Sequence, residues 1–297
     1  MELRNIITFL KVAEIGSFTK AAEILGYVQS TVTVQIKQLE NGLGVSLFDR
    51  IGKKVSLTPM GEEFFIYANQ IVQISEKSKL IGKKPIECKG QLRIGILESL
   101  FAWVLTDLLP KYHENFPYIS IITKTAPGND LFQMLMNNQL DIIFLLDKKI
   151  SANNCICAFS DSVDIVFVTH PKNPLASKTS ISLEEVLKQQ IIHTERNGIY
   201  RQSLEDLAAK KNLAISPFWE IDNTGTIVKL LKNGLGVSFL PEYTVKDSIS
   251  QGELILLDVI DCSTQFWSQI FYHKNKWLTP QMKGFIDVIR ESYSLND

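Results

Sequence analysis

Features of membrane, secreted and metal-binding proteins are scarce in this sequence. No uninterrupted apolar run reaches the ~18 residues that span a bilayer, and the first residues lack the basic start and apolar core of a signal peptide. We therefore expect a cytoplasmic protein with no membrane partner. Four cysteines and four histidines occur in 297 residues, and none has the spacing of a metal site. We expect no bound metal and no cofactor.

The scarcity of cysteine leaves few candidates for redox chemistry. Cys155 and Cys157 are separated by one residue, and a redox switch between them needs an accessible thiol of lowered pKa. Because no basic residue adjoins the pair, we interpret both as structural thiols. The redox switch is the alternative.

Motifs of catalytic sites are also absent. The sequence has no nucleophile elbow, phosphate-binding loop or dinucleotide fingerprint. The glycine-rich segment that starts at Asn233 follows a predicted helix, which is the wrong context for phosphate binding. His193 and Glu195 are interpreted as part of a strand end rather than half of a triad. We expect no catalysis; an enzyme acting on a small metabolite is the competing class.

The first 58 residues predict a winged helix-turn-helix domain (1–58). Apolar residues recur at helical spacing from Ile6 to Ala13. Ser17 is placed to cap a second helix that ends at Gly26, and a third helix follows after a short turn. Two short apolar-alternating runs around Gly52-Lys53-Lys54 then predict a basic β-hairpin wing.

The third helix and the wing carry the predicted DNA contacts. Val32, Ile36 and Leu39 are spaced to lie on one buried face, so we expect the opposite face to enter a major groove. The basic residues are expected to contact phosphates; the alternative is an ordinary solvated surface. The predicted DNA-binding residues are Gln29, Ser30, Thr31, Thr33, Val34, Lys37, Arg50, Lys53 and Lys54.

Residues 59–90 predict a linker and dimerisation helix followed by a hinge. Thr58 and Pro59 are typical of a helix start. Apolar residues then recur at spacings of three and four, which is typical of a coiled-coil seam. We expect this stripe to pair with a second subunit; packing on its own domain is the alternative. The predicted dimerisation residues are Phe64, Tyr67, Ile71, Ile74 and Ile81.

From residue 91 the pattern changes to alternating strands and helices. It predicts an α/β effector domain over residues 91–297 with mainly parallel sheets. The C-terminal segment is too small for a domain and is expected to return to the first sheet. The effector domain would therefore consist of two Rossmann-like lobes, lobe I (91–162 and 266–297) and lobe II (163–265).

A ligand is expected between these lobes, because open α/β sheets bind ligands at the carboxyl ends of their strands. Ser99 is expected to begin a helix whose free N–H groups suit an anion, and Thr194 to oppose it from lobe II. We therefore expect a polar or anionic small-molecule effector; for each residue alone, a loop or packing role is the alternative. The predicted effector-binding residues are Ser99, Leu100, Thr125, Gly128, Asn129, Leu146, Thr194 and Gly236.

The N-terminal pattern resembles the signature of LysR-type transcriptional regulators. Leu140-Asp141 and the segment 233–241 are similar to landmarks of that family's effector domain. The resemblance implies lobes like those of type 2 periplasmic binding proteins, a dimer or tetramer, and contact with the transcription machinery. The matching N-terminal positions are Phe9, Val12, Ser17, Phe18, Ala21, Ala22, Leu25, Gln29, Val32, Gln35, Ile36, Leu39, Glu40, Leu43, Gly44, Leu47, Phe48, Arg50, Leu57, Thr58 and Gly61.

The expected function is that of a sequence-specific transcriptional regulator controlled by a small-molecule effector. A two-fold dimer would bind double-stranded DNA with two related half-sites. The alternative is an effector-independent DNA-binding protein, which would not need the effector domain.

Three residues depart from the family pattern near the third helix. Val28 stands where a small polar cap is usual, Ser30 where proline is common, and Val34 where arginine or another polar residue is frequent. Ser30 is expected to take over the capping and to shift the helix start. Val34 is expected to contact a thymine methyl group.

Overall fold

The N-terminal part of the chain forms three helices and a hairpin, which confirms the winged helix-turn-helix prediction. The computed structural model describes residues 1–51, 54–79, 85–196, 198–262 and 264–294. The first elements are α1 (Leu3–Ile15), α2 (Phe18–Leu25), α3 (Gln29–Leu43), β1 (Phe48–Ile51), β2 (Lys54–Leu57) and the long helix α4 (Pro59–Lys79).

An aromatic core holds these elements together. Phe9 is fully buried, and its ring centroid lies 5.3 Å from that of Phe48 and 5.0 Å from that of Phe64. Val32 and Ile36 are buried as their spacing predicts. Because β1 and α4 each contribute a ring, the wing and the start of α4 pack on one core with the three helices.

The starts of α2 and α3 differ in their capping. Ser17 Oγ accepts a hydrogen bond from the Lys20 backbone N–H at 3.4 Å, as predicted. α3 begins at Gln29 after Val28, and no side chain caps it. The expected role of Ser30 as the cap is wrong, because Val28 already has the extended backbone of an N-cap and Ser30 lies in the first turn.

Gly61 is the point of closest approach between α4 and the segment before the wing. A Cβ at this position would lie 2.1 Å from the Leu47 carbonyl oxygen and 3.0 Å from its carbonyl carbon. We expect Gly61→Ala to destabilise the N-terminal domain by about 3 kcal/mol, because backbone atoms must move. Gly42→Ala is the matched control: its Cβ would meet nothing within 4 Å, and alanine stabilises a helix by about 1 kcal/mol over glycine. Thermal unfolding followed by circular dichroism would contradict the packing argument if both variants melted alike.

The predicted apolar stripe on α4 is divided between two environments. Phe64 is 8% exposed and packs in the N-terminal core, which Ile71 also contacts. The predicted dimer role of Phe64 is therefore wrong, because its own domain covers it. Tyr67 is 52% exposed and Ile74 is 66% exposed, so these two are free to meet another surface. Ile81 lies outside the described residues.

The effector domain alternates strands and helices. A π-helical segment, Phe101–Leu105, joins α5 (Glu98–Leu100) to α6 (Thr106–Asn115), so the helix predicted from Ser99 is continuous and begins at Glu98. A 3-10 turn (Pro85–Glu87) precedes the domain. The elements are β3 (Gly90–Ile96), α5 (Glu98–Leu100), α6 (Thr106–Asn115), β4 (Ile119–Thr125), α7 (Gly128–Met136), β5 (Ile142–Asp147), β6 (Cys155–Val163), β7 (Ile165–Thr169), α8 (Leu183–Leu187), β8 (Ile191–His193), α9 (Ile199–Lys210), β9 (Pro217–Glu220), α10 (Thr224–Lys232), β10 (Val237–Pro241), α11 (Lys246–Ser250), β11 (Ile255–Leu256), β12 (Phe266–His273) and α12 (Pro280–Ser294).

Two five-stranded sheets form the two lobes. Lobe I has the strand order β4-β3-β5-β12-β6, and lobe II has the order β11-β7-β10-β8-β9. The chain enters lobe II after β6 and returns to lobe I with β12, so the predicted return of the C-terminal segment is confirmed. Both sheets are mixed rather than mainly parallel: β12 runs antiparallel to β5 and β6, and β7 runs antiparallel to β10 and β11.

A polar cluster joins α4 to lobe I. Asp141 accepts hydrogen bonds from the Arg93 backbone N–H at 2.7 Å and from its guanidinium at 2.9 Å, and it forms an ion pair with Lys276. Lys276 Nζ also donates to Asn138 Oδ1 at 2.8 Å, and the Asn138 amide donates to Asn69 Oδ1 on α4 at 2.9 Å. Burial raises the pKa of Asp141, but the two cations outweigh it and lower that pKa. The carboxylate therefore stays ionised and anchors the cluster.

Candidate DNA-binding surface and interlobe cavity

The face of α3 opposite the domain core is open to solvent. Val34 is 52% exposed at the middle of this face, and Thr33 Oγ1 is turned back to the Gln29 carbonyl oxygen at 3.0 Å. The uncapped start of α3 leaves backbone N–H groups that suit a phosphate oxygen. All the predicted residues on this helix are exposed or half-buried: Gln29, Ser30, Thr31, Thr33, Val34 and Lys37.

The predicted wing contacts lie on the hairpin between β1 and β2. Arg50 pairs with Val55 and Lys54 pairs with Ile51 in the antiparallel register. Lys53 lies outside the described residues. The paired strands of the hairpin are as predicted.

Sequence reasoning missed a contribution from α1 to this surface. Arg4 lines a shallow depression together with Ser30, Val34 and Gln38. The Arg4 guanidinium is exposed and lies 2.6 Å from Glu2. The sequence does show a basic residue at the start of α1. Its place beside α3 could be recognised only once the packing of α1 against α3 was known.

A cavity of about 380 Å³ lies between the lobes. The end of β3, the start of α5, the loop after β4 and the end of β5 line it from lobe I; the loop after β8 and the starts of α9 and α10 line it from lobe II. The volume is that of a small-molecule site. Four predicted residues line the cavity: Ser99, Thr125, Gly128 and Leu146.

The other four predicted residues lie elsewhere. Leu100 is fully buried in the hydrophobic core, and Asn129 lines a neighbouring depression. Thr194 is buried behind Gly198, since a Gly198 Cβ would lie 2.9 Å from its hydroxyl oxygen. Gly236 precedes β10 and so lies at the amino end of that strand, where a Cβ would meet the Gln190 carbonyl oxygen at 2.3 Å. Close backbone packing explains this glycine, and its predicted ligand role is wrong.

Two side chains of the first helical turn of α5 reach across to lobe II. The hydroxyl groups of Ser99 and Tyr243 share a hydrogen bond of 2.9 Å. Glu98 accepts a hydrogen bond from Asn223 Nδ2 at 2.9 Å and a longer one from the Thr224 backbone N–H at 3.4 Å. Ser99 caps no helix, because Leu97 occupies the N-cap and no side chain bonds there. Its hydroxyl instead joins the lobes.

The cavity lining is acidic. Glu98 and Asp147 face it from lobe I, Glu195 and Asp222 face it from lobe II, and no lysine or arginine is among the described residues that line it. Burial and the neighbouring carboxylates of Glu98 and Asp222 raise the pKa of Glu195, and burial raises the pKa of Asp147. An anionic ligand would meet like charge at the ionised carboxylates, so this lining does not favour the expected anion.

Burial also shifts the pKa values of a histidine and two cysteines of the effector domain. His193 ends β8 as predicted, and burial followed by the charge of Arg201 lowers its pKa to about 4. Burial also raises the pKa of both Cys155 and Cys157, which disfavours the thiolate that a redox switch needs. Among the described residues, no three histidine, cysteine or acidic side chains are grouped to hold a metal ion, and no helix is long and apolar enough to cross a membrane.

Comparison with known proteins identifies both halves of this architecture. The family model "Bacterial regulatory helix-turn-helix protein, lysR family" matches residues 3–62, and the model "LysR substrate binding domain" matches residues 87–294. The chain belongs to the LysR family of transcriptional regulators. LysR-family regulators bind DNA and small-molecule effectors and form oligomers. This confirms the resemblance and the fold class expected from the sequence.

Individual LysR-family relatives align over almost the whole chain. The HTH-type transcriptional regulator YwqM of Bacillus subtilis is 32% identical over 99% of this chain and 100% of its own length. The activator CmpR of Synechocystis is 28% identical over 97% of this chain and 94% of its own length. Full-length OxyR from Pseudomonas aeruginosa, a solved structure, has a TM-score of 0.72 at 21% identity and covers 98% of this chain and 95% of its own. At that identity the solved structure shows the shared fold.

Proposed function

We propose that this LysR-family chain binds an operator with two related half-sites and regulates transcription in response to a small molecule held between lobes I and II. It would act in the cytoplasm, where it reaches DNA and the transcription machinery, and it would bind its ligand without turning it over. The observation that carries this proposal is the combination of an exposed α3 face with a separate interlobe cavity in one chain.

Dimerisation through α4 would set the spacing of the half-sites. Tyr67 and Ile74 are one heptad apart and both exposed, so they form the part of the predicted stripe that a second copy can cover. A two-fold axis along α4 would place two copies of α3 on one side of a duplex. A tetramer would need a second interface from the effector domains.

The polar cluster between α4 and lobe I would carry the ligand response to the DNA-binding domain. Asn69 on α4 is hydrogen-bonded to Asn138 of lobe I at 2.9 Å. A ligand that favours one arrangement of the lobes would shift the equilibrium by its difference in affinity for the two arrangements. Because α4 is attached to lobe I, that shift would change how lobe II is presented in the oligomer.

The DNA-reading role of α3 is tested by two variants with different expected signatures. Val34→Ala is expected to change the preference among operator variants, because a lost contact with a thymine methyl group matters only where thymine is present. Lys37→Ala is expected to weaken binding to all sequences by a similar factor and to reduce the salt slope by about 1. Fluorescence anisotropy with a set of operator variants at several salt concentrations measures both.

Lys172→Ala serves as the control, since Lys172 is exposed on lobe II. It is expected to leave affinity and salt slope unchanged. Equal losses across all operator variants for Val34→Ala would reject base reading by this residue, and absence of any sequence preference in the unmodified protein would reject the proposed function.

A further inference from the structure

We propose that the ligand of the interlobe cavity is a small organic cation, an ammonium or guanidinium compound, whose charge is held by Glu195 and Asp222. This inference rests on the proposed function, because it assigns the ligand class of the same cavity. It follows from the charges that line the cavity, from the partners those charges already have, and from the shape of the space between them.

The negative charge that remains unmatched is concentrated in lobe II. Glu98 is already engaged by Asn223 and Thr224 across the cleft, and Asp147 has Lys148 as its sequence neighbour, whose backbone N–H donates to it at 2.6 Å. Glu195 and Asp222 form no ion pair within the described part of the chain, and both line the cavity. A mobile cation is thus the missing counter-charge.

The nearest cations of lobe II are committed elsewhere. The side chain of Arg201 is 6% exposed and contacts Glu220 at 2.9 Å and Glu205 at 2.8 Å. It also donates to the Thr194 carbonyl oxygen at 2.7 Å. Arg196 lies 3.6 Å from Glu220. Arg201 cannot turn to the cavity without breaking these contacts, and neither Arg196 nor Arg201 is among the residues that line the cavity.

Each helix N-terminus at the cavity has a carboxylate of the lining beside it, Glu98 at α5 and α10 and Glu195 at α9. The helices that begin at Glu98, Ile199 and Thr224 start at the cavity, and each helix N-terminus carries roughly half a positive charge. Glu98 accepts from the first N–H of α10. The anion-binding position at that helix end is therefore filled by the protein's own carboxylate.

A buried hydroxyl lies just behind the wall of the cavity. Thr194 is 3% exposed, and its Oγ1 forms no hydrogen bond of normal geometry with the described residues, although the Tyr200 hydroxyl lies nearby. It stands directly behind Gly198, which lines the cavity. An ammonium or guanidinium group donates hydrogen bonds, which the carboxylate oxygens that line the cavity accept.

The shape of the cavity favours an organic cation over a metal ion. About 380 Å³ is far more than one metal ion needs, and the acidic side chains of the described residues are not grouped as metal ligands. Leu97, Pro127 and Ile199 add an apolar wall. A ligand with a cationic head and a short hydrocarbon body would contact both kinds of surface.

The test uses the full chain and four-carbon probes that differ in charge. Putrescine carries two ammonium groups, agmatine carries one ammonium and one guanidinium group, 1,4-butanediol is neutral and succinate carries two carboxylates. We expect putrescine or agmatine to raise Tm and to bind in titration calorimetry, with butanediol and succinate inactive at equal ionic strength. Glu195→Gln and Asp222→Asn are each expected to weaken the Kd of the cation at least about tenfold.

Asp206→Asn is the matched control, because Asp206 is an exposed carboxylate of α9 outside the cavity lining; it should leave the Kd unchanged. Stabilisation by succinate, cation binding that survives the Glu195→Gln/Asp222→Asn double variant, or no binding of either cation would overturn the inference. Stabilisation by Mg²⁺ alone that the double variant loses would replace it with a metal site. Operator binding, measured in parallel without ligand, reports on the regulatory function separately.

Discussion

Replacing Tyr67 and Ile74 together by aspartate is expected to separate the dimer into monomers and to weaken operator binding at least about 100-fold. Both side chains are more than half exposed on one face of α4, and the partner's α4 would cover them in the proposed dimer. Burying unpaired carboxylates costs several kcal/mol, and about 2.8 kcal/mol corresponds to 100-fold in Kd. Sedimentation velocity measures the mass, and a gel-shift titration measures the operator affinity.

Ile260→Asp is the matched control for this substitution. Ile260 is 65% exposed, almost the same as the 66% of Ile74, but it lies in lobe II. The control should keep the mass and the operator affinity of the unmodified protein. Retention of the full dimer mass by the Tyr67→Asp/Ile74→Asp variant would exclude α4 as the principal contact.

Asp141→Asn is expected to destabilise the effector domain by about 3 to 5 kcal/mol. The substitution leaves Lys276 and Arg93 partly buried, with side chains 11% and 27% exposed, without their counter-charge. Removing one partner of a buried ion pair costs this amount because the other charge stays desolvated. Tryptophan fluorescence during urea unfolding isolates the effect, since all four tryptophans, Trp103, Trp219, Trp267 and Trp277, belong to the effector domain.

The difference in stability between the unmodified protein and Asp141→Asn is expected to depend on pH. The folded-state pKa of Asp141 is lowered by Lys276 and Arg93 in spite of the burial that raises it. A carboxyl with a lowered folded pKa contributes stability above its unfolded pKa of about 3.9, and loses it as the pH falls through the folded pKa. The unmodified protein and Asp141→Asn should therefore differ fully at neutral pH and converge below about pH 4.

Glu291→Gln is the control for the ion pair itself. Glu291 lies 2.7 Å from Lys111, but both side chains are about half exposed, and an exposed pair contributes no more than about 1 kcal/mol. If Glu291→Gln lowered the free energy of unfolding as much as Asp141→Asn, burial of the ion pair would not be the cause of the Asp141→Asn effect.

The sequence was sufficient for features that depend on local periodicity. The apolar spacing of Val32, Ile36 and Leu39 predicted the buried face of α3, and these residues are buried. The turn around Lys53 predicted the paired strands β1 and β2, which the structure contains. In both cases the pattern comes from residues that are neighbours along the chain. Packing in other parts of the molecule therefore does not change the prediction.

Features that depend on distant contacts were not predictable in the same way. The apolar residues of α4 recur with a single helical period, but Phe64 is covered by Phe9 whereas Tyr67 is exposed. Only the crossing of α1 and α4 determines which of these side chains is buried. β6 was missed because it is an edge strand whose partner, β12, lies about a hundred residues later. The acidic lining was missed because Glu195 and Asp222 meet Glu98 only when two lobes come together.

The bond between Asn69 and Asn138 divides the molecule mechanically. Lobe I is hydrogen-bonded to α4 through this bond, and its sheet includes the C-terminal strand β12. It is therefore the part of the effector domain that stays with α4. Lobe II contacts lobe I across the cleft through the Ser99 and Glu98 hydrogen bonds and through apolar packing. A ligand that moves lobe II relative to lobe I would therefore move the outer surface of lobe II relative to α4 and the DNA-binding domain.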